Sequence, residues 1–194
     1  MITPSSLSSG SKIALVAPAR KVAEDDIAFA VEYIRQRGFV PIYDERLFLS
    51  YNQFAGNDEQ RASVLQHYLD ADDIDAIMCV RGGYGTVRII DRLDFDIFMQ
   101  KPKWIVGYSD VTVLHAKMQS LGIESLHATM PINFQDNSKQ ALDTLFDALC
   151  GKEIKYDLPQ QTLNVLSMMQ GEVVGGNISV LYSLLGSDIF PDVE

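Results

Sequence analysis

The chain has 194 residues, a formal net charge of −10, 47% hydrophobic residues and two cysteines. Its apolar content excludes a disordered chain, and two cysteines far apart, Cys79 and Cys150, exclude a disulfide framework. The acidic charge, without any basic stripe, argues against nucleic-acid binding. No apolar run approaches the roughly 20 residues that span a bilayer, and the first residues lack signal-peptide character. We therefore expect a cytoplasmic protein that binds neither nucleic acid nor membrane.

The first 150 residues alternate strand-like and helix-like segments. Strands are predicted, in chain order, at Lys12–Ala17, Phe39–Tyr43, Ala76–Val80, Trp104–Tyr108 and Ser125–Ala128. Helices are predicted at Glu24–Arg37, from Asn57 onward, at Thr86–Leu93, at Val111–Leu121 and at Ser138–Leu149. This alternation predicts an α/β fold in which helices flank a parallel sheet. Ligands of such sheets bind beyond the carboxyl ends of the strands.

The pattern changes after Gly151. Residues 1–150 are predicted to form the α/β domain, and residues 151–170 have no helical period and are predicted to be a linker. Residues 171–194 then contain a strand-like Gly171–Val174 and a helix introduced by Gly175-Gly176-Asn177. Because about 24 residues cannot form a domain core, we expect them to be the start of a second domain.

Ser109 lies where a strand passes directly into a helix, in the segment Gly107-Tyr108-Ser109-Asp110. A serine on such a turn is exposed beyond the sheet, and the N–H groups that follow belong to a helix N-terminus that favours an anion. This is the physical logic of a nucleophile elbow, although Val111 replaces the final glycine of the usual pattern. The alternative is that Ser109 or Asp110 only caps the helix.

A glycine-rich loop, Arg81-Gly82-Gly83-Tyr84-Gly85, follows the third predicted strand. Glycines let the backbone approach a ligand and expose N–H groups, so this loop could complete an oxyanion hole for Ser109. A tight turn without function is an equal alternative. A phosphate loop is disfavoured because the Lys-Ser/Thr of a Walker motif is absent, and the glycine spacing does not fit a dinucleotide fingerprint.

The three histidines and the carboxylates predict no further site. His67 is expected on a helix surface, and His115 is expected to point away from the strand end. His127, at the end of the fifth predicted strand, is the only histidine expected near Ser109. The acidic residues between Asp70 and Asp75 lack the spacing and glycine of a calcium loop, so we expect no metal and no cofactor.

Taken together, these motifs resemble the LD-carboxypeptidase family of serine peptidases. The resemblance covers nearly the whole chain and rests on the following segments in register: Lys12–Arg20, Phe54-Ala55-Gly56 with Asp58 and Arg61, Arg81–Gly85, Lys103 ahead of Gly107–Asp110, and Gly175-Gly176-Asn177. It implies a flavodoxin-like N-terminal domain and a smaller β-rich C-terminal domain, usually in a homodimer. It also implies cytoplasmic release of D-Ala from the murein tetrapeptide by a Ser-His-Glu triad during peptidoglycan recycling.

The resemblance assigns roles to individual residues. Ser109 matches the nucleophile, and the backbone N–H groups of Asp110 and Gly83 (or Gly82) match the oxyanion hole. Gly82, Tyr84 and Arg81 are expected to contact the peptide substrate. Two segments depart from the commoner family patterns: Pro18-Ala19-Arg20 in place of Pro-Ser-Gly, and His127-Ala128-Thr129-Met130 in place of a His-Gly-Pro motif.

The catalytic Glu and His of the family lie beyond the Gly-Gly-Asn helix, and none of the three histidines matches that His. We therefore expect an incomplete chain that has little or no activity alone. Two alternatives stay open: a same-family peptidase that acts on a peptidyl-nucleotide toxin, as in microcin immunity, and a non-catalytic module that binds muropeptides.

Overall fold

The computed structural model describes residues 1–157, 159, 161, 168 and 170–191. Its sheet has five strands: Lys12–Val16 (β1), Val40–Ile42 (β2), Ala76–Cys79 (β3), Trp104–Gly107 (β4) and Leu126–His127 (β5). Every pairing is parallel, and the strand order is β2-β1-β3-β4-β5. The predicted parallel α/β fold is confirmed. Pro41 lies in the edge strand β2, where a missing N–H interrupts no central ladder.

The described residues contain six α-helices: Glu24–Gln36 (α1), Asp58–Asp70 (α2), Asp96–Gln100 (α3), Thr112–Ser120 (α4), Lys139–Leu149 (α5) and Ile178–Ser183 (α6). The two faces of the sheet form two separate clusters of buried side chains. Ile13 and Leu15 of β1 pack with α1 and α5, and the alternate residues Ala14 and Val16 pack with α2 and α4. This alternation is the period of two expected of a strand that is covered on both faces.

Local helix signals agree with the structure in two places. The Asn57 side chain accepts a hydrogen bond from the Gln60 N–H, and the Gln60 side chain accepts one from the Asn57 N–H, both at 2.9 Å. This capping box starts α2 where the sequence predicts it. Ser138 caps α5 by accepting a hydrogen bond from the Ala141 N–H at 3.1 Å.

The helix predicted at Thr86–Leu93 is wrong. This segment forms two 3₁₀ turns instead, Thr86–Arg88 and Ile90–Arg92. Four of its first five residues are β-branched, and their restricted χ1 angles disfavour a continuous α-helix. The short helix α3, which follows these turns, was not predicted.

The C-terminal residues differ from the rest. Within the described residues, 171–177 contain no strand, and the Val173 side chain is 97% exposed. The expected strand at Gly171–Val174 therefore has no pairing partner there, and α6 follows as predicted. Of the apolar residues predicted for this helix, Leu184 is buried while Ile178 and Leu185 are exposed. Much of the predicted linker, and residues 192–194, lie outside the described residues, so the domain division stays a prediction.

None of the helices in the described ranges is both long and apolar enough to cross a membrane.

Candidate functional site

The turn after β4 carries Ser109 on strained backbone. Ser109 has a φ of 62°, in the left-handed region that non-glycine residues rarely adopt. A methyl group placed on Gly107 would lie 2.9 Å from both methyl carbons of Val111, so only glycine fits before the turn. The chain then passes through a short 3₁₀ turn, Ser109–Val111, into α4. This abrupt change from strand to helix presents the half-buried Ser109 at the carboxyl edge of the sheet.

Neither Ser109 nor Asp110 caps the helix. No side-chain cap is formed at the start of the 3₁₀ turn or of α4. The buried Asp110 carboxylate instead accepts two hydrogen bonds from Thr86, from its N–H at 2.9 Å and from its hydroxyl at 2.6 Å. This carboxylate therefore ties the turn after β4 to the end of the loop after β3, and the capping alternative does not account for either side chain.

The structure brings the glycine loop 81–85 against Ser109. A methyl group on Gly82 would lie 3.3 Å from the Ser109 Cβ atom. Gly83 has a φ of 118°. In the described part of the chain, the N–H groups of Gly83 and Asp110 donate no hydrogen bond to any protein acceptor. Unpaired N–H groups beside a serine are the arrangement that an oxyanion hole requires.

Arg61 holds this loop from behind, a role that sequence reasoning missed. Its buried guanidinium donates hydrogen bonds to the carbonyl oxygens of Gly85, at 2.9 Å, and of Pro18, and it is ion-paired with Asp58. Burial is the largest influence on the Arg61 guanidinium and lowers its pKa. Arg88 also pairs with Asp58, at 2.8 Å, and its hydrogen bond is the main cause of the lowered pKa of that carboxyl group. The only sequence signal for this network was the presence of Asp58 and Arg61 in the resemblance.

The predicted substrate contacts Arg81 and Tyr84 belong to the same loop. Tyr84 is 48% exposed, and its ring centroid lies 6.3 Å from that of Phe54. Arg81 donates a hydrogen bond from Nη1 to the carbonyl oxygen of Lys21 at 3.2 Å, which joins this loop to the segment after β1. The two side chains therefore lie at the rim of the site.

His115 is a buried histidine that contacts the end of β4, so the prediction that it points away from this strand end is wrong. Its Nε2–H donates to the carbonyl oxygen of Gly107 at 2.9 Å. Its Nδ1 accepts from the Ser125 hydroxyl, 2.8 Å away. Burial is the main cause that lowers the His115 pKa to about 4, which keeps the ring neutral and fixes these donor and acceptor roles.

The other two histidines do not contact Ser109 either. His127 is exposed, and its ring centroid lies 6.3 Å from that of Tyr108 and 5.6 Å from that of His115. His67 is exposed on α2, as predicted, beside Tyr68. Among the described residues no histidine is hydrogen-bonded to Ser109, and no group of three or more His, Cys, Asp or Glu residues could hold a metal ion.

The Gly175-Gly176-Asn177 segment docks beside the elbow. A methyl group on Gly176 would lie 2.5 Å from the Thr112 Cγ2 atom, so the backbone passes over Thr112 where only glycine fits. The Asn177 N–H donates to the Thr112 hydroxyl at 2.9 Å. The C-terminal segment is therefore anchored at the start of α4, three residues after Ser109.

Comparison with known proteins identifies relatives of this chain. A family model described as the LD-carboxypeptidase N-terminal domain matches residues 13–128. The probable murein peptide carboxypeptidase of Bacillus subtilis (strain 168) is 31% identical over 193 residues, which cover 95% of this chain and 60% of that protein. The murein tetrapeptide carboxypeptidase of Pseudomonas aeruginosa is 27% identical over 188 residues, covering 91% of this chain and 61% of that protein.

Solved structures show the same fold. The wild-type apo structure of the microcin C7 self immunity protein has a TM-score of 0.85 at 20% identity and covers 100% of this chain and 68% of that chain. The muramoyltetrapeptide carboxypeptidase from Oxalobacter formigenes has a TM-score of 0.73 at 26% identity, covering 94% and 62%. The chain thus spans 60% and 61% of the two curated relatives above. Because the family model matches more than half of the chain, the chain belongs to the LD-carboxypeptidase family, whose N-terminal domain it contains.

Proposed function

We propose that Ser109 is the nucleophile of a serine peptidase that hydrolyses an L-D peptide bond and releases D-Ala from the murein tetrapeptide during peptidoglycan recycling. The observation that carries this proposal is the turn itself: a serine at a φ of 62°, beside Gly82, at the carboxyl edge of a parallel sheet. The relatives named murein peptide and murein tetrapeptide carboxypeptidase support the choice of substrate.

The chemistry follows from the groups around Ser109. After the Ser109 hydroxyl has given its proton to a general base, its oxygen attacks the scissile carbonyl carbon; the peptide C–N bond then breaks, the base protonates the departing D-Ala amine, and water hydrolyses the acyl-serine. During the attack the carbonyl π bond opens and negative charge develops on the carbonyl oxygen. The N–H groups of Asp110 and Gly83, which have no protein acceptor in the described part of the chain, donate to that oxygen. One such donor typically contributes about 10²- to 10³-fold in rate. Gly82, Arg81 and Tyr84 border the bound peptide, and no cofactor takes part in this chemistry.

None of the three histidines in the described structure is placed to act as the base that activates Ser109. His115 donates its only proton to the Gly107 carbonyl oxygen, and neither His67 nor His127 is hydrogen-bonded to Ser109 in the described structure. We propose that the catalytic His and Glu belong to the part of the relatives' length that this sequence does not span. A serine without its base is a weak nucleophile, so we expect residues 1–194 alone to have little or no activity.

The test is release of D-Ala from the murein tetrapeptide by the native gene product and by its Ser109→Ala variant. We expect the substitution to reduce the rate by at least about 10³-fold, because attack through an activated hydroxyl is lost. Ser120→Ala is the matched control, since this exposed serine lies at the far end of α4 and, in the described part of the chain, its hydroxyl bonds only to the Lys117 carbonyl oxygen. Full activity in the Ser109→Ala variant would exclude Ser109 as the nucleophile.

A second candidate substrate is a peptidyl-nucleotide toxin. One curated relative is named microcin C7 self-immunity protein, at 23% identity over 209 residues, and a solved structure of such a protein is described in complex with aspartyl sulfamoyl adenosine. Assays of the native gene product against both substrate types separate the two candidates. Binding of a muropeptide without any turnover would instead favour the non-catalytic module. We also propose a cytoplasmic homodimer, as the resemblance implies.

A further inference from the structure

The side chain of Arg20 lies directly over Gly83. A methyl group placed on Gly83 would lie 2.6 Å from Cδ, 2.7 Å from Cγ and 3.0 Å from Nε of Arg20. The arginine therefore occupies the space that any larger residue at position 83 would fill. Arg20 is itself exposed.

The backbone on both sides of Arg20 is firmly held. Arg20 forms an isolated antiparallel bridge with Phe54. The neighbouring residues make three further hydrogen bonds: Ala55 N–H to Ala19 O at 3.1 Å, Lys21 N–H to Gln53 O at 3.1 Å, and Arg81 Nη1–H to Lys21 O at 3.2 Å. Because these bonds fix the main chain, the Arg20 side chain is attached at a defined position beside the glycine loop.

Arg20 is also uncommitted. In the described ranges its side chain forms no ion pair and donates no hydrogen bond, whereas the nearby Arg61 and Arg88 share the carboxylate of Asp58. The chain has a net charge of −10, yet among the described residues this arginine has no carboxylate partner. All N–H donors of its guanidinium are therefore available to a ligand. A planar guanidinium binds carboxylates through two parallel hydrogen bonds.

We propose that Arg20 binds the free carboxylate at the C-terminus of the peptide substrate. A methyl group on Gly82 would lie 3.3 Å from the Ser109 Cβ atom, and Gly83, which Arg20 covers, is the next residue, with its Cα about 3.8 Å further along the chain. In a peptide cut before its last residue, the terminal carboxylate likewise lies one residue beyond the scissile carbonyl. One site thus holds the scissile carbonyl at Ser109 and the terminal carboxylate at Arg20, which selects a carboxypeptidase reaction. This inference rests on the proposed function and identifies the Arg20 guanidinium as the group that recognises the C-terminus of the peptide substrate.

The test is peptide binding to this chain, followed by NMR in a Ser109→Ala background that prevents turnover. Two ligands are compared: a murein tetrapeptide with a free D-Ala carboxylate, and the same peptide with that carboxylate amidated. We expect the free acid to bind roughly 10- to 100-fold more tightly, because one charge-assisted pair is lost on amidation. The free acid should also shift the Nε–H resonance of Arg20.

Arg20→Gln should reduce the affinity for the free acid to that for the amide. Lys21→Gln is the matched control: in the described ranges the exposed side chain of this adjacent cation donates only to the Ser50 hydroxyl, and the substitution should leave the preference for the acid unchanged. The inference is overturned if Arg20→Gln keeps that preference, if it weakens acid and amide equally, if neither peptide binds, or if inorganic phosphate competes as well as the free acid.

The two proposals fail separately. Ser109-dependent release of D-Ala by the native gene product tests the peptidase reaction. The tighter binding of the free acid than of the amide tests the role of Arg20. Acid binding that depends on Arg20, without any release, rejects the reaction and keeps the carboxylate site. Release with an unchanged preference in Arg20→Gln keeps the reaction and rejects the site.

Discussion

The turn after β4 and the loop after β3 leave neighbouring strands at the same sheet edge, yet they reach left-handed backbone in different ways. The loop uses glycine, with φ of 118° at Gly83 and 145° at Gly85, while the turn uses Ser109 at 62°. A side chain in this region costs roughly 1–2 kcal/mol, and glycine avoids that cost. At Gly83 and Gly85 the loop presents only backbone, so glycine suffices there. The turn must present a hydroxyl, and the chain accepts the strain.

The surrounding contacts explain how the strained turn is kept. His115 donates to the Gly107 carbonyl oxygen on one side of Ser109, and Asp110 accepts two hydrogen bonds from Thr86 on the other. The glycine loop is supported differently, by the Arg61 guanidinium against Gly85. Three changes, from the largest expected effect to the smallest, test this difference.

The first change removes the support from His115. Its pKa is lowered to about 4 in the folded chain, mainly by burial, from about 6.5 when unfolded. The unfolded chain therefore binds a proton first, and the free energy of unfolding falls as pH drops from 6.5 toward 4. We expect His115 to contribute up to about 3 kcal/mol to this fall. Urea unfolding of the wild type and of His115→Gln at pH 7 and pH 4.5 measures it.

His67→Gln is the matched control, because His67 is exposed on α2. It should leave the pH dependence of unfolding unchanged, while His115→Gln should flatten it. An equal slope for the wild type and His115→Gln would show that the ring does not hold the turn in its neutral form.

The second change cuts the bond between turn and loop. Thr86→Val removes the hydroxyl that donates to Asp110 at 2.6 Å. The buried Asp110 carboxylate then keeps only one of its two hydrogen bonds from Thr86, the one from the N–H group. We expect the free energy of unfolding to fall by about 1–3 kcal/mol. Thr144→Val is the control, because that hydroxyl bonds to a carbonyl oxygen within α5. Equal losses in the two variants would mean that the Thr86–Asp110 bond contributes nothing special.

The smallest change makes the turn resemble the loop. Ser109→Gly removes the side chain from left-handed backbone, whereas Ser109→Ala removes the hydroxyl and keeps the strain. We expect the free energy of unfolding of Ser109→Gly to be about 1 kcal/mol higher than that of Ser109→Ala. Neither variant should hydrolyse peptide. Thermal unfolding of the pair measures the difference, and a less stable glycine variant would contradict stored strain at this position.

Local sequence signals predicted much of this structure. The strand-like runs, the capping box at Asn57 and the passage from strand to helix at Ser109 each depend on residues a few positions apart. The helix predicted after Gly85 failed because periodicity does not weigh the β-branched residues there. His115 was predicted on the correct helix, but its contact with Gly107 depends on how α4 packs against the sheet.

By itself, the sequence determined the parallel α/β architecture, the glycine loop and the position of Ser109, because these follow from short-range patterns of apolar residues, glycines and turns. Only the tertiary structure decided what surrounds that serine. The pairs Thr86–Asp110, Arg61–Gly85 and Arg20–Gly83 join residues from different elements. Such contacts depend on how strands and helices pack in space, so the spacing of residues along the chain does not predict them.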